Sequence, residues 1–211
     1  METERPDRQA RPIVAFDFDG TLTIRDSYTS FLKWRKGNLA YGLGLSALTP
    51  NLLAYPLHRD RGRLKAAATK RFLAGETTDG VAAQAAAFCE ARWAVLMRPD
   101  ALEAWKRWGE NGAWRVIVTA SPSLTVRPFA DRLGAEALLG TELDIGPDGR
   151  LTGNFRSPNC RAAEKVRRLR DAYGAEVRLA AAYGDTSGDV DMLAIADHKG
   201  WREFNQKPEA R

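Results

Sequence analysis

Asp17 and Asp19 stand two residues apart in Asp17-Phe18-Asp19-Gly20-Thr21-Leu22-Thr23, directly after the apolar run Ile13-Val14-Ala15-Phe16. A short apolar run that ends near a glycine reads as a buried strand running into a tight turn. Carboxylates at alternate positions then share one side of the strand end, with Phe18 facing the other way. Close carboxylates repel each other, and the cost is offset by a metal ion or a shared proton. A nucleophile toward phosphorus beside a group that moves protons is chemistry that would justify such a pair. For the pair taken alone, a solvated acidic turn is the plain alternative.

Other segments supply the remaining parts of one reaction. Arg115-Val116-Ile117-Val118-Thr119 reads as a second buried strand ending in the hydroxyl cluster Thr119-Ala120-Ser121. A strand-end hydroxyl and the N–H groups after it can hold phosphate oxygens, although Ser and Thr also cap ordinary helices. Asn159-Cys160-Arg161-Ala162-Ala163-Glu164-Lys165 opens a helical segment with Val166 and Leu169 at helical spacing. A lysine there is, on its own, consistent with a solvated face. Ala180-Ala181-Ala182-Tyr183-Gly184 is a further apolar run that leads into Asp185-Thr186-Ser187-Gly188-Asp189. Carboxylates on a loop after a strand suit Mg²⁺, which takes few protein oxygens and keeps several waters. An Asx-turn before a helix cap is the structural alternative.

Taken in order, the four segments resemble the signature motifs of the haloacid dehalogenase superfamily over most of the chain. The phosphoserine-phosphatase-like branch is the nearest likeness, carried by D-F-D-G-T-L-T, N-C-x-x-x-x-K and Y-G-D-[ST]-x-x-D. The resemblance implies a phosphoric monoester hydrolase with Asp17 as nucleophile and Asp19 as general acid and base. It implies that Thr119 and Lys165 bind the phosphoryl group, together with backbone donors near Phe18 and Ala120. Mg²⁺ is the implied cofactor, held by Asp17, the main-chain carbonyl of Asp19 and Asp185, with Asp189 supporting it from the same loop. One departure is visible, because many relatives carry Asn where this chain has Gly188.

The elements that must position these residues follow from the same runs. Strand patterns fall at Ile13 to Phe16, Val116 to Val118, Glu136 to Leu139 and Val177 to Tyr183, with helical patterns at Leu124 to Leu133 and Asn159 to Tyr173. Such alternation predicts an α/β fold, a mostly parallel sheet with helices on both faces. Ligands bind outside the carboxyl ends of such strands, where Asp17, Thr119 and Asp185 all lie. Residues 141–155, centred on Gly146-Pro147-Asp148-Gly149, read as a β-hairpin. Between the first two strands, residues 25–109 lack strand alternation and carry Ala-rich helical runs at Leu64 to Leu73 and Val81 to Leu96. Residues 1–24 and 110–211 are thus expected to form a Rossmann-like three-layer core, with 25–109 a helical cap inserted after the first strand.

Composition narrows the remaining classes. The chain has 211 residues and a formal net charge of +5, which favours an anionic partner. No helix-turn-helix, RNP or zinc-finger signature accompanies the basic residues, so nucleic acid is not expected. Cys89 and Cys160 form neither a disulfide framework nor a metal-spaced cluster. Met1 to Arg11 is polar and lacks the apolar segment of a signal peptide, so the expectation is a disordered arm on a cytoplasmic protein.

The leaving group is left open by these motifs. Asp26 either greets a substrate amine or caps the helix that follows, and Lys65, Lys70 and Arg71 either meet an anion or face solvent. From Gly37 to Leu57 no residue is charged, while Lys33, Arg35 and Lys36 precede the run and Arg59, Arg61 and Arg63 follow it. Thr49-Pro50-Asn51 breaks the run, which argues against a spanning helix and for either a buried cap helix or a hairpin dipping into a membrane interface. With Trp201-Arg202 near the end, this run also resembles bacterial phosphatidylglycerophosphate phosphatases of the same branch. That likeness implies a lipid phosphomonoester and peripheral contact with anionic lipid at the cytoplasmic face of the inner membrane. A soluble phosphoserine-like substrate, a phosphotransferase and a catalytically idle binding protein remain the alternatives.

Overall fold

β1 (Ile13–Phe16) is buried along its whole length and lies in the middle of a five-stranded sheet. The structure is a computed structural model that describes residues 11–46 and 61–209. The sheet runs β3-β2-β1-β6-β7, where β2 is Trp114–Pro122, β3 is Ala137–Thr141, β6 is Leu179–Gly184 and β7 is Ala196–Trp201. Every pairing is parallel, with Ala15 opposite both Val116 and Ala182. All strands therefore present their carboxyl ends at one edge, as the α/β expectation requires.

Alternation along β1 divides the interior. Val14 and Phe16 join one apolar cluster, and Ile13 and Ala15 join the other. The second face is covered by α7 (Ala163–Tyr173) and the short α8 (Val190–Ala194), through Leu169 and Met192. The first face is covered by α5 (Pro99–Glu110) and α6 (Ser123–Leu133). Trp105 of α5 packs on Phe16 with ring centroids 5.0 Å apart, so the last helix within 25–109 rests on the sheet itself.

The other helices of the insertion are α1 (Ser27–Lys36), α2 (Asn38–Ser46), α3 (Arg61–Leu73) and α4 (Thr78–Leu96). Phe129 of α6 joins them to the sheet, contacting Phe18 at 5.4 Å and Phe88 and Trp93 of α4 at 6.0 Å each. The chain enters and leaves this layer through paired segments. Ile24 N–H donates to Leu96 O at 2.8 Å, and Arg98 N–H donates to Leu22 O at 2.9 Å. The hairpin β4 (Leu143–Ile145) and β5 (Leu151–Phe155) forms where the Gly-Pro-Asp-Gly turn predicts it. It also docks on the cap: Leu151 N–H donates to Glu76 O at 2.8 Å, and Gly153 at φ +84° lies against the α3 backbone at Lys70.

Two details differ from the sequence pattern. β7 is an added edge strand, with Asp197, His198 and Lys199 all exposed, so no apolar alternation marks it. α7 begins at Ala163 rather than Asn159, because the preceding backbone is drawn elsewhere. Cys160 N–H donates to Thr141 Oγ1 at 3.0 Å and Ala162 N–H donates to Gly188 O at 2.8 Å. The expected N-terminal arm (residues 1–10) and the end of the uncharged run (47–57) lie outside the described residues.

Phe129→Ala should cost about 3–5 kcal/mol of unfolding free energy, since it empties the joint between sheet and insertion. Urea denaturation checks this, and a loss below about 1 kcal/mol would mean that the two layers do not share one core.

Candidate active site

Asp17 continues β1 by one residue, its N–H donating to Tyr183 O of β6 at 2.9 Å. The chain then turns sharply over Phe18–Leu22, with Gly20 at φ +89°. A β-carbon at Gly20 would collide with the Asp185 carboxylate, so glycine both permits the turn and lets two loops meet. Thr23 closes the turn, its N–H donating to Phe18 O at 2.9 Å and its hydroxyl to Arg25 O at 2.8 Å. Phe18 is fully buried in the core, so its side chain and the flanking carboxylates do face opposite ways.

Lys165 holds the centre. It lies on the buried face of α7 with Val166 and Leu169, and its side chain is 1% exposed. Nζ donates to Asp17 Oδ1 at 2.6 Å, Val118 O at 2.6 Å and Asp189 Oδ1 at 2.7 Å. Burial pulls the ammonium toward its neutral form, but Asp17 and Asp189 outweigh burial and the net shift is upward. Asp189 moves down: burial works against its charge, and Lys165 overcomes it. Its Oδ2 also accepts from Thr186 N–H at 2.9 Å, Thr186 Oγ1 at 3.0 Å and Asp185 N–H at 3.2 Å. Asp189 is thus the anchor of its loop.

The acidic centre of the site is short of buried positive charge, although Arg25, Lys65, Arg98 and Arg161 also line the cleft. Carboxylate oxygens of Asp17, Asp185 and Asp189 lie within 4.8 Å of one another, against the one buried ammonium. Burial pushes Asp17 up to about 7, with Lys165 opposing and Asp189 adding to the rise. Asp185 is raised by burial and then by Asp189, and its Oδ1 is buried without a hydrogen-bond partner. An orphaned carboxylate oxygen beside two other hard donors fits a divalent cation such as Mg²⁺. Arg202 steadies this loop, its Nε donating to Asp185 O at 2.9 Å while its guanidinium lies 5.2 Å from the Trp201 ring centroid.

Asp19 is docked apart from this cluster. Its Oδ1 accepts from Ser27 N–H at 2.7 Å, and its Oδ2 accepts from the Ser121 hydroxyl. Burial, and then the charge of Asp26, raise its proton affinity. Thr119, fully buried at the end of the regular part of β2, accepts from Ser121 N–H at 3.0 Å. Lys65 of α3 reaches down to Ala120 O at 3.2 Å and Ser121 Oγ at 3.4 Å, whereas Lys70 and Arg71 are exposed. Asp26 caps α1 through Thr29 N–H at 2.6 Å and also lines the cleft. That cleft, of about 350 Å³, is shared by Asp17, Asp19, Asp26, Ala120, Lys165, Asp185 and Asp189.

Sequence reasoning left Ser121 in a hydroxyl cluster without a task, yet it is the side chain that holds Asp19. Its signal was its place beside Thr119. Arg98, whose Nε donates to Gly20 O at 3.2 Å, had no local signal. Cys160 is fully buried, with its thiol directed at Leu139 O at 3.4 Å and pushed up by burial to about 11, as a packing residue requires.

The family model for haloacid dehalogenase-like hydrolases matches residues 14–194. Protein CicA of Caulobacter vibrioides (strain NA1000 / CB15N) is 56% identical over 196 residues, covering 93% of this chain and 88% of that one. Among solved structures, a protein with unknown function from Bordetella pertussis Tohama I superposes with a TM-score of 0.72 at 22% identity, covering 87% of this chain and 86% of that one. A phospho-aspartyl intermediate analogue of phosphoserine phosphatase gives a TM-score of 0.57 at 19% identity, over 88% and 83% of the two chains. At these identities the solved structures establish the fold.

Lys165→Met should leave Asp17 and Asp189 facing each other uncompensated and cost about 3–5 kcal/mol of stability at neutral pH. Adding Asp189→Asn to that variant should recover part of the loss. Equal urea midpoints for wild type and the single variant would show that the buried bridge does not organise the site.

Proposed function

The chain belongs to the haloacid dehalogenase-like hydrolase family, and we propose that it is a Mg²⁺-dependent phosphomonoester phosphatase that forms an aspartyl-phosphate on Asp17. The observation that carries this reading is the buried Lys165 bridge, which fixes Asp17 at the strand end and at the floor of the cleft. An oxygen of Asp17 attacks phosphorus as the bond from phosphorus to the leaving oxygen breaks. Asp19, whose environment favours the protonated form, donates a proton to that oxygen. It then accepts a proton from the water whose oxygen attacks the acyl-phosphate, which releases phosphate and restores the Asp17 carboxylate. Thr119 and backbone donors near Phe18 and Ala120 hold the phosphoryl oxygens, and Lys165, whose three N–H groups are bonded to Asp17, Val118 and Asp189 in the free protein, turns the one on Asp17 to the phosphoryl group. Asp17, Asp185 and the Asp19 carbonyl would hold Mg²⁺, which supplies neutralising charge at the phosphoryl oxygens, while Asp189 fixes their loop. The cap lies over the same cleft through Lys65 and Asp26, so it bears on which leaving group enters.

For the leaving group we favour a lipid phosphate such as phosphatidylglycerophosphate. The supporting observation is α2, where Leu39 is 80% and Leu43 is 65% exposed, one turn apart and next to the basic end of α1. Paired exposed leucines beside lysines suit shallow insertion at an anionic interface. No described helix is long and apolar enough to cross a membrane. A soluble phosphoserine-like substrate is the second reading, favoured by the acidic Asp26 in the cleft. A phosphotransferase would use the same intermediate and pass the phosphoryl group to an alcohol. Product analysis with added alcohols separates it from a hydrolase.

Asp17→Asn should lower turnover of an aryl phosphate about a thousandfold or more while leaving the protein folded. Asp19→Asn should also stop turnover, but with a good leaving group it should still allow phosphoenzyme to form. Chelation should silence the wild type and Mg²⁺ should restore it, with Asp185→Ala needing more metal. Full activity in excess chelator, or substantial activity in Asp17→Asn, contradicts the mechanism.

Leu39→Ser with Leu43→Ser should weaken co-sedimentation with phosphatidylglycerol vesicles on the order of tenfold, without changing turnover of a soluble aryl phosphate. Wild type that ignores such vesicles sinks the lipid reading and leaves the soluble one.

A further inference from the structure

Arg161 is built against the cleft in a way the proposed mechanism does not use. Its aliphatic chain lies over Gly188, where an added β-carbon would sit 2.6 Å from Arg161 Cγ and 2.8 Å from Nε. Gly188 does not have positive φ, so the glycine there makes room and is not needed for a turn. The next residue, Ala162, adopts φ +53° and ψ −131°, a sparsely populated conformation for a residue with a β-carbon. That conformation is held by the bond from Ala162 N–H to Gly188 O, and Arg161 Nη2 donates to Ser187 Oγ at 2.8 Å.

These contacts place a guanidinium beside the loop of Asp185 and Asp189, lining one cleft with Asp17 and Lys165. Among the described residues, no carboxylate lies within ion-pair distance of Arg161, and Ser187 is its neutral side-chain partner. The other cleft arginine for which side-chain bonds are resolved, Arg98, is engaged with Gly20 O and Gln206 O. A planar fork of donors without a counter-anion suits a phosphate or carboxylate group.

We propose that Arg161 is a substrate-binding residue that contacts an anionic oxygen of the phosphomonoester, with Gly188 and Ala162 shaping the backbone that holds it; this rests on the phosphatase reading above. The oxygen belongs either to the phosphoryl group being transferred or to a second anionic group on the alcohol.

The test compares wild type, Arg161→Gln and Arg161→Lys on p-nitrophenyl phosphate and on 2-carboxyphenyl phosphate, with inorganic phosphate as competitive inhibitor. Losing a charge-assisted contact should raise KM about tenfold. If the contact is with the transferred group, KM for both substrates and the inhibition constant of phosphate rise together in Arg161→Gln. If it is with a second anion, only 2-carboxyphenyl phosphate is affected. Either pattern supports the assignment, and Arg161→Lys should restore part of the affinity. Gly188→Ala displaces the same side chain, so it should match Arg161→Gln and add nothing on top of it. Titration calorimetry with inorganic phosphate and 2-carboxyphenyl phosphate reads the same contact without turnover. A wild type that binds these anions but cleaves no phosphomonoester would refute the phosphatase reading alone. KM, inhibition and binding constants of Arg161→Gln all within twofold of wild type would overturn the inference.

Discussion

A lysine ammonium buried to 1% exposure must find acceptors for its N–H donors inside the protein, and Lys165 finds them on three different segments. Asp17 comes from the end of β1, Val118 from inside β2, and Asp189 from the loop after β6. Each acceptor has to arrive at the same point, so the relative heights of three neighbouring parallel strands are tied together by one nitrogen. A one-residue slip in any of them would send the wrong side chain to the cleft and its hydrophobic set to the wrong face. The bridge sets the electrostatics as well. Burial holds Asp17 above its usual range although Lys165 opposes it and Asp189 adds to the rise, and Asp185 keeps an oxygen without a partner. A divalent cation at these carboxylates would relieve their mutual repulsion.

The parts of this arrangement that were legible in the sequence share a physical origin. β1, β2 and β6 are covered on both faces, and such strands read as unbroken apolar runs. Asp17, Thr119 and Asp185 could therefore be placed at strand ends from pattern alone. β7 was illegible because it is an edge strand whose middle residues face solvent. Helical spacing starts α7 at Asn159, because it says nothing of the backbone bond from Ala162 to Gly188 that delays the first turn to Ala163. For Asp26, sequence left capping and cleft contact as alternatives, and the geometry lets one carboxylate cap α1 while it lines the cleft.

Arg161 illustrates a different limit. In the chain it is one of several arginines around α7, and composition alone treats it as a solvated charge. Its distinguishing mark is a glycine on another loop, which means little until folding brings the two together. Ser121 is similar, because a hydroxyl in a Thr-Ala-Ser cluster gains its task only when the turn after β1 delivers Asp19. Buried pairing between distant segments is what local pattern fails to encode.

The crossing segments at Thr23 and Met97 form an antiparallel bridge, and the bonds from Ile24 to Leu96 and from Arg98 to Leu22 flank it. Everything between residues 24 and 96 therefore leaves and rejoins the core at one closed gate, as a hairpin's contents hang from its stem. For such a loop, closure entropy grows only with the logarithm of its length. Connections above the gate can therefore change length at little entropic cost, whereas the helices themselves are tied to the core at Phe129 and to the β4–β5 hairpin at Gly153. The gate separates two requirements: a floor whose geometry one lysine fixes, and a roof whose connecting lengths the sheet does not set.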